Sequence, residues 1–184
     1  RLSLTGRLIH AALFCSILPF PATAFADVPI IVGSGTATSC TQVALENALL
    51  TARVEGGGTV RFRCGDAPVT IALSASTYVP DLEPLPVALT PPTNTIIDGG
   101  GLVTLVPVGS MTDAYFLFVD RNTTVTIENL SVRGWTHGTR NRGTLVVWNV
   151  AFSEHLFAII QNENTLRFEN SSVSGGAHQV AIGN

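Results

Sequence analysis

Three stretches in the second half of the chain align on an asparagine: Val125-Thr-Ile127-Glu-Asn129-Leu-Ser-Val132, Leu145-Val-Val147-Trp-Asn149-Val-Ala-Phe152 and Leu166-Arg-Phe168-Glu-Asn170-Ser-Ser-Val173. The asparagines lie 20 and 21 residues apart, with apolar residues four and two places before each and three places after. This period is too short for two helices and a turn, and the alternation is that of a strand with one buried face. It suits one coil of a β-solenoid, whose inner face is buried only against neighbouring coils. Asparagine tolerates the left-handed backbone of a tight bend, and coils stacked about 4.8 Å apart bring equivalent amides within reach of one another. Asn129, Asn149 and Asn170 therefore read as a structural ladder. Asn122, Asn129 and Asn170 also stand in Asn-x-Ser/Thr sequons, but a buried ladder amide cannot carry a glycan.

The segment before the repeats reads as an export signal followed by a cap. Arg1 and Arg7 precede an apolar run from Leu8 to Leu18, Pro19 and Pro21 break it, and Ala24-Phe25-Ala26 offers a small-x-small cleavage pattern. Residues 1–26 are expected to be a signal peptide, and the run is too short for a membrane span. Removing it leaves Cys40 and Cys64, which are expected to pair in an oxidising compartment. Two cysteines without a nearby His cluster make no metal site. Ser39 and Gln42 read as a capping box opening a helix over 39–54, with Leu45, Ala48, Leu49 and Ala52 on one face and Gly56-Gly57-Gly58 stopping it. Residues 27–58 thus form a lead-in and capping helix, and 59–184 the coils.

Alternating strands follow at Thr59–Cys64 and Val69–Leu73. Five prolines between 80 and 93 predict a rigid surface excursion. Thr95-Ile-Ile97 reads as a strand, Asp98-Gly-Gly-Gly101 as a tight corner, and Leu156–Ile160 and Gln179–Ile182 as third strands of their coils. The stretch from Trp135 to Gly143 is too polar for an ordinary buried strand and is expected to project as a loop. The chain stops just after a third-strand run with no closing element, so it is expected to be the N-terminal part of a longer protein.

The stretch Ser39-Cys-Thr with Ala44-Leu45, Ala48-Leu49 and Gly56-Gly-Gly-Thr-Val-Arg-Phe62-Arg-Cys64-Gly, followed by Asn94-Thr-Ile-Ile-Asp-Gly-Gly-Gly101, resembles the N-terminal region of secreted bacterial right-handed parallel β-helix proteins of the pectate-lyase-like superfamily. The resemblance implies an all-β, right-handed parallel β-helix with an N-terminal capping α-helix. It also implies either a polysaccharide lyase or glycoside hydrolase, or a surface protein without a reaction. The hydrolases of that group use clustered carboxylates and a His in a Gly-His-Gly setting, whereas His178 here lies in Gly176-Ala-His-Gln179. The lyases use Ca²⁺ held by several carboxylates, which a hard cation requires. Asp98, Asp113, Asp120, Glu128, Glu154, Glu163 and Glu169 are dispersed, and no two share one strand face at i, i+2 spacing. No catalytic set emerges, and no cofactor is expected unless the lyase alternative brings Ca²⁺.

The local basic cluster is Arg133, His137, Arg140 and Arg142, with Trp135 among them. An aromatic ring beside guanidinium forks suits an acidic sugar, while the plainer reading is a solvated loop. The chain is 46% hydrophobic, 12% charged and of net charge −3, and all its basic residues are Arg. Without an extensive basic face, nucleic acid is not an expected partner. The expectation is a monomeric secreted or cell-surface scaffold, possible partners being an extracellular polysaccharide or a cell surface. The alternative is a carbohydrate-active enzyme with its reacting groups in further coils.

Overall fold

The computed structural model describes residues 28–77, 79, 85–109, 113–155 and 157–175. The expected signal peptide and the expected strand at 179–182 lie outside these residues. The chain begins with strand β1 (Ile30–Val32) and one 3₁₀ turn (Ala37–Ser39), then helix α1 (Gln42–Glu55). Strands β2 (Gly58–Phe62), β3 (Val69–Leu73), β4 (Val87–Leu89), β5 (Thr95–Pro107) and β6 (Tyr115–Val119) follow. Then come β7 (Thr124–Arg133), β8 (His137–Asn141), β9 (Thr144–Ser153), β10 (Ile160–Asn162), β11 (Thr165–Glu169) and β12 (Ser172–Ser174).

These strands make two parallel sheets. The larger runs β1-β2-β5-β7-β9-β11, with β3 also beside β5 and β12 also beside β9; the smaller runs β10-β8-β6-β4. From β4 to β11 the chain visits the two sheets in strict alternation. Register confirms the alignment of the repeats: Val125 faces Leu145, which faces Leu166, and Ile127, Val147 and Phe168 form the next column. Val132, Phe152 and Val173 form another beyond the asparagines. Val125, Ile127, Leu130, Val132, Leu145, Val147, Val150 and Phe152 are buried, and with Leu105, Leu117 and Trp135 they fill the space between the sheets.

Helix α1 starts two residues later than the capping box predicts. Thr41, not Ser39, is the N-cap, its hydroxyl accepting from the Ala44 amide at 3.2 Å. Ser39 is held in the preceding loop instead, accepting from Ser34 N and donating to Thr36 O. Gln42 bridges to the sheet: its Oε1 accepts from Ser74 N at 2.8 Å. Gly56 ends the helix at φ 80°, a left-handed cap that glycine adopts without strain. The face Leu45, Ala48, Leu49 and Ala52 is buried as the spacing predicts. Cys40 and Cys64 form a disulfide, tying the loop before α1 to the residues after β2.

Three expectations from polarity or proline content need correction. The proline-rich stretch is not wholly an excursion, because Val87 and Leu89 are buried and β4 pairs with β6. The Asp98 glycines do not end their strand. β5 continues through them, bulging by three residues between Asp98 and Val103 relative to β7, with Gly100 and Gly101 at positive φ. The polar stretch after Trp135 is strand β8, with Thr139 and Asn141 buried. Its polarity is tolerated because Asn141 is saturated. Its Nδ2 donates to Asn162 Oδ1 at 2.6 Å and Thr165 O at 2.8 Å, and its Oδ1 accepts from Gly143 N at 3.1 Å. The strand expected at Leu156–Ile160 starts at Ile160, the end of that span, and runs on to Asn162.

Candidate functional site

The basic cluster divides when the chain folds. Trp135 is fully buried, its indole N–H donating to Leu105 O at 3.4 Å and its ring against Phe116. A ring without exposed surface cannot stack on a sugar, so Trp135 belongs to the core. Arg133 ends β7 on the larger sheet and pairs with Glu154 at 3.0 Å.

His137, Arg140 and Arg142 do come together at the smaller sheet, because β8 places His137 and Arg140 beside β6 and β10 and Arg142 follows directly after it. The His137 ring lies between Tyr115, at 4.9 Å, and Phe157, at 5.2 Å between centroids. Gln161 Oε1 accepts from the Tyr115 hydroxyl at 3.0 Å and from Arg140 Nη1 at 2.8 Å. Both guanidiniums pair with one carboxylate, Glu163, Arg142 Nε at 3.2 Å, and Arg142 also lies over the Phe118 ring. Burial works against the Arg140 charge, but bonds with Tyr115 and Glu163 outweigh it and raise its pKa. The forks that could grip a uronate are thus already engaged by the sheet's own Glu163 and Gln161. Among the described residues no group of three His, Cys, Asp or Glu side chains is placed to hold a metal ion.

The second surface of interest lies where the larger sheet bends. Asn129, Asn149 and Asn170 all adopt positive φ, between 49° and 53°. The rungs start one strand earlier than the repeat indicates: Asp98 Oδ1 accepts from Asn129 Nδ2, and Asn129 Oδ1 accepts from Asn149 Nδ2, each at 2.9 Å. Asn170 shares the backbone conformation without a rung to Asn149, and, against the expectation of a buried ladder, both are exposed and Asn129 is half-buried, so burial does not bar the Asn170 sequon from a glycan. Along this bend runs an open groove of about 220 Å³, lined by the three asparagines and by Ser131, Ala151 and Ser172.

The residues just before the bend form an outward column across the strands. Register aligns Arg61, Asp98, Glu128, Trp148 and Glu169 in that order. Arg61 pairs with Asp98 at 3.2 Å, and Asp98 also accepts from Gly100 N. Burial and the neighbouring Asp98 charge raise the Glu128 pKa, and Arg61 lowers it less. Glu169 pairs with Arg167. Trp148 is 38% exposed, an indole standing between two carboxylates. Sequence reasoning missed this column by looking for acids within one strand. The signal was the residue directly before each repeat asparagine, which alternation turns outward and register stacks.

His155 is 1% exposed, with its Nε2 at 3.3 Å from Val132 O. Burial lowers its pKa, the Val132 carbonyl opposing this only in part, and its Nδ1 is buried without a hydrogen-bond partner. No helix among the described residues is long and apolar enough to cross a membrane.

Comparison of the chain with protein families, with curated proteins and with solved structures finds no match.

Proposed function

We propose that the protein is an extracellular right-handed parallel β-helix acting as a rigid scaffold that contacts polysaccharide. The observation that carries the reading is the strict alternation of one chain between two parallel sheets, with repeat positions in register from coil to coil. A solenoid is the economical way to build that pattern, since each coil then needs only its neighbours to bury its inner face. The cap of such a solenoid is supplied by α1 and the Cys40–Cys64 disulfide, and the disulfide fits an exported chain. Repetition gives a surface that is flat, stiff and periodic, features suited to a linear polymer. Membership of the pectate-lyase-like superfamily and export by residues 1–26 complete the proposal.

Retention of the purified protein on insoluble polysaccharides tests the contact function, and a crystal structure of the purified protein tests the fold. The scaffold reading expects retention without turnover. Incubation with polygalacturonate, read by the ultraviolet absorbance of unsaturated uronates, is expected to stay flat; sustained release would replace the scaffold by a lyase. Sheets that do not close into successive coils would remove the β-helix.

A further inference from the structure

We propose that the groove along the asparagine bend, with Trp148 on its rim, binds a neutral, extended β-1,4-linked glycan lying across the strands. The inference rests on the polysaccharide-contacting reading and assigns it a place and a ligand chemistry. The groove offers what a polyol requires: amides at Asn129, Asn149 and Asn170, and hydroxyls at Ser131 and Ser172. Small side chains keep its floor open, because Ser131, Ala151 and Ser172 occupy one register column. Trp148 supplies an apolar plane for the C–H face of a pyranose, in the middle of an otherwise polar column.

The spacing fits a repeating ligand. Neighbouring strands are about 4.8 Å apart, close to the length of one pyranose unit in an extended chain. Each sugar would then sit over one strand, and sugars two apart, which an extended β-1,4 chain turns the same way, would meet like groups two strands apart. The charge selects against acidic polymers. Glu128 and Glu169 flank Trp148 in register, while Arg61 and Arg167 on this sheet are paired with Asp98 and Glu169. Burial and Asp98 already make the negative form of Glu128 unfavourable, so a uronate carboxylate beside it would add a further like charge. A neutral sugar instead donates its hydroxyls to these carboxylates.

The test uses the whole chain and hexasaccharides of β-1,4-linked glucose, xylose and mannose, with polygalacturonate as the acidic comparison. Trp148 and Trp135 are the two tryptophans, and Trp135 is fully buried. Acrylamide quenching therefore reads Trp148. A bound neutral hexasaccharide is expected to shield it, and Trp148→Ala, which removes that reporter and is therefore read by titration calorimetry beside the intact protein, is expected to weaken binding by at least about tenfold. Ala151→Arg, which fills the floor from an outward-facing position, is expected to do the same without unfolding the protein. Unchanged affinity in both variants would overturn the groove while leaving the polysaccharide reading standing. Preference for polygalacturonate would overturn the charge argument. Failure of the intact protein to bind any of these or any insoluble polysaccharide would remove the parent reading as well.

Discussion

Replacing Asn141 by Ala separates two kinds of asparagine in this fold. Asn141 is fully buried, and its amide joins β8 to Asn162, Thr165 and the turn at Gly143. The truncation leaves Asn162 Oδ1, Thr165 O and Gly143 N without this partner. At the buried residues Asn162 and Gly143 each group left unpaired costs about 1–2 kcal/mol, and at the exposed residue Thr165 the lost bond costs about 1 kcal/mol, so the expected loss is about 3–5 kcal/mol. Asn149→Ala is the comparison. It removes one rung, to Asn129, at an exposed site and forces alanine to φ near 51°. The strain is about 1 kcal/mol and the rung about 0.5–1 kcal/mol, so the loss is about 2 kcal/mol. Urea unfolding followed by the fluorescence of buried Trp135 measures both. At a slope of about 2 kcal/mol per molar, midpoints should fall by about 1.5–2.5 M for Asn141→Ala and by about 1 M for Asn149→Ala. If Asn149→Ala is as damaging as Asn141→Ala with unchanged slopes, burial of the amide is not what sets the cost, and the argument for β8 fails.

Three further outcomes follow from the same geometry. Reduction of Cys40–Cys64, which closes a loop of sequence separation 24, is expected to cost about 3 kcal/mol, and mass analysis with and without reductant should show two added hydrogens; no change in either would remove the bridge. Because His155 has a lowered folded pKa, the unfolded chain takes the proton first, so its contribution is intact above pH 6.5 and is lost as pH falls below that value; His155→Phe should flatten this part of the stability profile, and a profile equally steep in the variant would assign it elsewhere. Gly138→Ala should abolish soluble folded protein or lower its melting temperature by many degrees, since a Cβ there would overlap the Ile159 carbonyl of the next strand; a near-normal melting curve would show that β8 and β10 can separate without loss.

The likeness between the three repeats made the core columns legible before any coordinates. Alternation is a local property of a strand, so Val125, Ile127 and Val132 and their second-repeat equivalents Leu145, Val147 and Phe152 could be assigned to the inside from the chain alone, whereas in the third repeat Leu166 and Phe168 are half-buried and Val173 is exposed. The helix face was legible for the same reason, and its start was misplaced because Ser39 and Thr41 both offer a capping hydroxyl. The polar strand β8 was not legible. Its burial depends on Asn162, 21 residues away, and no local pattern announces that partner. The basic cluster misled because neighbours in sequence alternate between sides of a strand and between sheets.

The sequence by itself determined the strand periodicity, the bends at Asn129, Asn149 and Asn170 and the inward residues, because each follows from backbone preference and side-chain alternation within a few residues. Only the tertiary structure decided what those bends face. Register between strands brought Asp98, Glu128, Trp148 and Glu169 into one column and opened the groove beside it. Pairing at that range is set by how the parallel strands align, a sum over many contacts that no single segment encodes.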